Sequence, residues 1–348
     1  MVAPMRNPKD SMKSTWRQDR SQWNFSHLFL DFLNIHHVDL DKKVPVHAKT
    51  DKVPYVPEWR FERWVIIHAL IPLALHQALN TYLGYNLPTW AALLFYHISM
   101  VVVSIREIHL LKGLGHKYGY FDGDKHERDG VPDSAVFKTL QSILLTVFLR
   151  PTMLMIIAYR ADQGPSTINW MWLLPEVSIY PIVLDFWFYW YHRLMHDNAS
   201  LWKLHRTHHL TKHPNPLLTL FADGIQEMGD MLGIPLMTYG SMKLLGFPMG
   251  FYEWWVCAEY VMFTEIFGHS GLRVSAATMN PLTPLFRLCD VDLTIEDHDL
   301  HHRKGWRSSY NYGKQTRIWD RLFGTCHPRL ESYEENVDYV NTVQIPLL

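Results

Sequence analysis

Residues 64–105 contain no Asp, Glu, Lys or Arg, a run of 42 positions. One membrane crossing takes roughly 20 apolar residues, so this run is too long for one. Tyr85-Asn86-Leu87-Pro88 divides it near the middle. The halves, 64–82 and 90–105, read as two membrane helices joined by a turn. A buried hairpin in a large soluble helical protein is the competing arrangement, and the apolar segments that follow weigh against it. Segment 139–159 is apolar except for Arg150, which must snorkel, face the protein interior or mark the membrane boundary. Segment 169–190 is rich in aromatics but holds Glu176 and Asp185, and Pro175 and Pro181 are expected to break or bend it. Segments 231–252 and 256–267 form a second apolar hairpin. Four or more embedded segments are expected, some of them re-entrant or interfacial.

The whole-chain mean hydropathy of −0.12 hides these contrasts. With 33 basic and 34 acidic residues the formal charge is −1, which gives no argument for nucleic-acid binding. Cys257, Cys289 and Cys326 form no Cys-x-x-Cys pair, so neither a disulfide scaffold nor a cysteine-rich zinc site is expected. The first 25 residues are charged and lack an apolar core, so the first membrane helix is expected to act as the targeting signal. Asn24-Phe25-Ser26 and Asn198-Ala199-Ser200 match the glycosylation triplet, and the second is expected to stay unmodified. Four regions follow: a polar cytosolic arm over 1–60, with Leu28-Phe29-Leu30 as a candidate interfacial patch; a membrane region over 61–160; a catalytic region over 161–327; and a tail over 328–348. The charged loop 111–137 contains His116 and His126, read as solvated. Strand signals are weak throughout.

Eight histidines fall into three clusters. His192 and His196 are spaced H-x-x-x-H; His205, His208 and His209, and then His298, His301 and His302, are each spaced H-x-x-H-H. On a helix, residues three and four apart share a face, so each cluster is expected to project from its own helix toward a shared centre. Eight imidazoles exceed what one tetrahedral zinc uses and suit two metals with room for oxygen. Imidazole alone does not choose among iron, zinc, copper and nickel. There is no Glu-x-x-His pair of the soluble di-iron kind. Asp185, seven residues before His192, and Asp299, Asp297 and Glu296 are candidates to hold ligand rings through their second nitrogen. The first two clusters precede the 228–268 hairpin and the third follows it, so a hairpin that crosses out and back puts all eight on one face. Arg193, Lys203, Arg206 and Lys212 accompany the first clusters, and Arg303, Lys304, Arg307, Lys314 and Arg317 the third, which favours the cytosolic side.

These boxes, with Asn311-Tyr312-Gly313 and the ending Trp319-Asp320-Arg321-Leu322-Phe323-Gly324-Thr325, resemble the fatty acid hydroxylase superfamily, also called the sterol desaturase family, over about residues 180–326. The resemblance implies an all-α integral membrane protein of the endoplasmic reticulum, built of transmembrane helical hairpins with a cytosol-facing, histidine-rich di-iron site. It adds His269, in Gly268-His269-Ser270-Gly271, to the ligand set; Arg273 stands where some lipid hydroxylases of the family carry a further histidine. His213 is a candidate auxiliary ligand. The implied activity is O2-dependent oxidation of a sterol or other membrane lipid by two Fe ions. Electrons would come from a separate cytochrome b5 and an NAD(P)H-dependent reductase, since neither a dinucleotide loop nor a haem site is present in the sequence. The short Phe267-Gly268-His269-Ser270-Gly271-Leu272 segment and the ending are similar to C-4 methylsterol oxidase-like members. Desaturation, sphingoid or fatty-chain hydroxylation, oxidation of a specialised metabolite, and a zinc-dependent membrane hydrolase or regulatory scaffold stay open.

Overall fold

The computed structural model describes residues 8–125 and 127–347. His126 lies outside the described residues. Four helices are long and apolar enough to cross a bilayer: α2 (Glu58–Leu83), α3 (Thr89–Tyr118), α4 (Val136–Ala158) and α5 (Trp170–Asp197). A short α1 (Phe25–Phe32) precedes them. α2 and α3 are the hairpin of the charge-free run, and Gly84, at φ 75°, ends α2 where a side chain would be strained. α3 runs on through the first turns of the expected charged loop, so His116 is helical; its Nε2 accepts the Asp39 backbone N–H at 2.9 Å. α5 runs unbroken through Pro175 and Pro181. Packing on neighbouring helices tolerates what proline would disrupt in an isolated helix.

The outer faces of these helices are apolar: Ile71, Leu75, Leu79, Leu94, Ile98, Leu144, Phe148 and Ile156 are all exposed. Trp59, Tyr82, Tyr85, Trp90 and Trp170 are exposed near helix ends, where aromatic residues favour the membrane–water interface. α1 buries Leu30 and exposes Phe25, Leu28 and Phe32 along one face, the pattern of a helix lying in the interface.

The second apolar hairpin differs from expectation. After α6 (Ala199–His205) and α7 (Gly224–Met228), a π turn over Gly229–Gly233 leads into α8 (Ile234–Leu244), whose 11 residues are too few to span. α9 (Phe251–Gly268) buries every residue except Ala258 and Ile266. It packs against α2, α3, α4 and α5 and forms the centre of the core with Trp254, Trp255, Phe263 and Phe267. A helix apolar on all sides belongs inside a protein as readily as in lipid; here the four long helices take the lipid and α9 takes the interior. The chain ends through α10 (Thr283–Leu288), α11 (Ile295–Lys304) and α12 (Ile318–Phe323). Two-residue strands β1 (Val53–Pro54) and β2 (Val337–Asp338) pair in parallel and tie the arm to the tail. Both Asn-x-Ser triplets are helix caps: Asn24 Oδ1 accepts the Ser26 N–H, and Asn198 Oδ1 the Ser200 and Leu201 N–H groups.

Candidate metal centre

Nine buried histidines converge in two groups: His192, His196, His205, His209 and His301, and then His208, His269, His298 and His302. Within each group the ligand atoms lie within 4.8 Å of one another. The sequence boxes do not map one to one onto the groups. His205 and His209 join the five, while His208 between them joins the four. His298 and His302 join the four, while His301 joins the five. Each H-x-x-H-H box therefore gives its i,i+4 pair to one group and its middle histidine to the other.

The first cluster sits on the last turns of α5, and the third is on α11. The second is not on a single helix as expected: His205 ends α6, and His208 and His209 lie in the 3-10 turn His208–Leu210. Tightening the backbone there turns neighbouring rings toward opposite groups.

Ring protonation is fixed by what each Nδ1 faces, since a carbonyl can only accept. His192 Nδ1–H donates to the Tyr312 carbonyl at 2.8 Å, His196 to Trp306 at 2.8 Å and His301 to Tyr310 at 2.6 Å. His205 Nδ1–H donates to Gln226 Oε1 at 3.0 Å; the Gln226 amide is oriented by Asp230, 3.5 Å from its Nε2. His269 donates to the Glu265 carbonyl at 2.7 Å, His302 to Thr211 at 3.2 Å and His208 to Phe221 at 3.4 Å. In each of these rings Nε2 is left with a lone pair aimed inward. His192 Nε2 and His205 Nε2 lie 3.0 Å apart. Two lone pairs at that distance repel unless they share a cation. Nitrogens bound about 2.1 Å from one metal ion stand roughly 3 Å apart, so the residues fit the metal. His196 Nε2 and His302 Nε2 are buried with no hydrogen-bond partner, which fits the same reading. Burial holds His208 down to about 3 and His269 to about 4, and His205, His209, His298, His301 and His302 well below their ordinary range. Neutral imidazole is the form that ligates.

The family model for fatty acid hydroxylase matches residues 177–325, a segment that holds all nine histidines. The fatty acid hydroxylase vlmA of Lecanicillium sp is 38% identical over 325 residues, 88% of this chain and 89% of that protein. This chain belongs to the fatty acid hydroxylase family. Methylsterol monooxygenase 2-2 of Arabidopsis thaliana is 28% identical over 177 residues, 50% of this chain and 61% of its own length. The alkylglycerol monooxygenase of Xenopus tropicalis is 29% identical over 174 residues, 50% of this chain and 34% of its own length. No solved structure matches the chain. As a member of this family with paired histidine groups, the protein is a multi-pass membrane, non-haem di-iron oxidoreductase.

Within this member of the family the acids expected to hold ligand rings do other work. Asp185 accepts the backbone N–H groups of Lys314, Gln315 and Thr316. Asp320 accepts those of Tyr312 and Gly313, at 2.8 Å each, and the Thr325 hydroxyl at 2.7 Å. Together they clamp the loop whose Tyr312 carbonyl holds His192. The Asn-Tyr-Gly turn has backbone reasons: Asn311 has φ 51°, and a Cβ on Gly313 would stand 2.4 Å from the Thr316 carbonyl oxygen. Asp299 pairs with Arg128 and Arg303. Asp297 caps α11 and pairs with Arg329, and Glu296 accepts the N–H groups of Leu330, Glu331 and Ser332. These acids face away from the rings because α11 presents its histidines on the other side. Arg273 is fully buried against Glu331 and the Lys52 and Ala48 carbonyls, bracing the arm rather than joining the centre. His213 Nε2 lies 3.3 Å from Asp122 Oδ2, outside both groups. Gln226 and Asp320 went unread in the sequence. The Trp319–Thr325 motif was the available signal for Asp320; Gln226 carried none.

Proposed function

We propose that this protein is an O2-dependent hydroxylase of a fatty chain that enters sideways from the bilayer. The observation that carries this reading is an apolar cavity of about 160 Å³ beside the four-histidine group. Val101 and Ile105 of α3, Ile143 and Val147 of α4, Leu217, and Met262 of α9 line it. It shares Val101, Leu144 and Val147 with an open groove on the outer face of α3 and α4, where Phe137 and Phe148 are exposed. Glu265 in its wall is the residue whose carbonyl holds His269, and Leu220 in its wall precedes Phe221, whose carbonyl faces His208.

A volume below the roughly 300–1,000 Å³ of drug-sized ligand pockets, opening onto the groove through shared Val101, Leu144 and Val147, suits a slim chain with its tail in the groove better than a sterol nucleus. The likeness to the fatty acid hydroxylase spans α3 and α4, which build this cavity. The likeness to the methylsterol enzyme covers 50% of the chain. The sterol expectation rested on the Phe267–Leu272 segment and the ending, which lie outside the cavity walls.

The nine imidazoles would hold two iron ions, and that pair would supply O2 reduction and oxidation of an unactivated C–H bond. The balance is RH + O2 + 2 e⁻ + 2 H⁺ giving ROH + H2O. The chain keeps the imidazoles neutral and oriented, excludes water with Phe188, Leu217 and Phe221, and places one carbon. In this reading the electrons come from a separate cytochrome b5 and NAD(P)H-dependent reductase. The exposed surface at Trp306, whose carbonyl holds His196 and which is 39% exposed beside the exposed Arg307, supports that. The half-exposed or exposed Arg193, Lys203, Lys304 and Arg307 support a cytosolic centre in the endoplasmic reticulum. Lys314, Arg303 and Arg317 drop out of that argument, being buried in ion pairs with Glu265, Asp299 and Asp297.

The test is metal analysis of detergent-purified protein, then turnover of a fatty acid under ¹⁸O2 with a reductant. Iron in the protein and one ¹⁸O in a hydroxylated product are expected. About one zinc and no iron would sink the reading. A new double bond without ¹⁸O would make the protein a desaturase instead.

A further inference from the structure

At the inner end of the cavity three charged side chains serve neither the rings nor the fold's surface. Arg150 of α4 lines the cavity and is 5% exposed. Its Nη2 pairs with one carboxylate oxygen of Glu265 on α9, and the other oxygen accepts from Lys314 Nζ at 2.7 Å. Lys314 Nζ stands 4.0 Å from the Phe188 ring centroid, and Phe188 packs 5.0 Å from the His192 ring. The Glu265 backbone carbonyl holds His269. The triad thus adjoins both histidine groups.

The other polar groups of the cavity wall have their bonds. Thr146 donates to the Ser142 carbonyl, Ser104 to Met100 and Thr219 to Pro216. Arg150 Nε is different: it is buried and has no hydrogen-bond partner among the described residues. Two cations share one carboxylate here, and a donor is left unmade at membrane depth. Buried donors are ordinarily satisfied, and intramembrane charges mark function.

We propose that Arg150 Nε, backed by Lys314, binds a hydrogen-bond-accepting oxygen at one end of the substrate. The polar end then lies beside the metal centre, and the alkyl tail runs out between α3 and α4. This rests on the lipid-hydroxylase reading and deepens it: the oxidised carbon is counted from the oxygen-bearing end of the chain, not from its methyl end.

The test is binding first, turnover second. Radiolabelled palmitic acid and hexadecane are titrated into the iron-loaded, detergent-purified protein. The acid should bind tenfold or more tighter, roughly the worth of a charge-assisted bond. Arg150→Gln should erase that preference. Arg150→Lys, which keeps a cation for Glu265 but lacks the Nε donor, should weaken it, with iron content and melting temperature as checks on folding. In turnover, acids of 14, 16 and 18 carbons should be oxidised at the same carbon counted from the carboxyl. Equal binding of acid and alkane to the wild type overturns the proposal. So does a preference that survives both substitutions in folded, iron-replete protein, or an oxidised carbon fixed from the methyl end. Arg150-dependent binding of the acid without any O2-dependent product supports the anchor and rejects the hydroxylase reading, so the two fail separately.

Discussion

The five-histidine and four-histidine groups draw on the same two sequence boxes, yet the protein holds them in different ways. In the five, His192, His196 and His301 are fixed by carbonyls of one loop, residues 306–312, and His205 by the Gln226 side chain. Asp320 clamps the end of that loop at Tyr312, and Asp185 its continuation over 314–316. In the four, the carbonyls come from Thr211, Phe221 and Glu265 in the last turn of α9, and the last two adjoin the apolar cavity. One side of the centre is braced by the C-terminal loops; the other adjoins the apolar cavity. Bracing and access are thus divided between the two histidine groups.

The comparison breaks most sharply at His208 and His209. Alanine at either position should cut turnover by more than about 100-fold, since a lost ligand exceeds the 10–100-fold cost of an outer partner. Each variant should lose a different iron, read by Mössbauer spectroscopy on ⁵⁷Fe-loaded protein. Identical residual spectra would mean the neighbours serve one ion and the two groups are not separate sites. Asp320→Ala unclamps the 306–312 loop and should cost about 10–100-fold in iron affinity, confined to the five-histidine group; loss spread over both irons would show that the loop braces the whole centre. Gln226→Leu removes a single partner, that of His205, and should cost about tenfold at the same group, the low end of outer-partner effects. His213→Asn should leave both irons in place and move only the melting temperature, because His213 answers to Asp122. Iron lost from that variant would enlarge the four-histidine group.

The membrane helices were legible because charge-free runs have few other uses. α2 and α3 follow from residues 64–105, and Arg150 does face the interior, one of the placements its cost allowed. α9 was not legible as a core helix. An apolar run reads alike in lipid and in protein, and only the packing of α2–α5 around it decides. The carbonyl partners of the rings were invisible for a related reason: every residue has a carbonyl, so no residue type marks the ones that hold His192 or His301. Asp185 and Asp299, by contrast, stand out in a sequence by their side chains. Asp185 turned out to act one step removed, through the loop it clamps.

By itself the sequence determined the number and type of the candidate ligands, their grouping on short segments, and the apolar lengths that demand a bilayer. These are local properties, set by spacing and side-chain chemistry. The tertiary structure alone decided that adjacent histidines part company, that two groups rather than one result, and that six of the nine second nitrogens rest on main-chain carbonyls. Each of those depends on where α5, the 3-10 turn at His208–Leu210, α9 and α11 meet, and that meeting is fixed by burial across more than a hundred residues of chain.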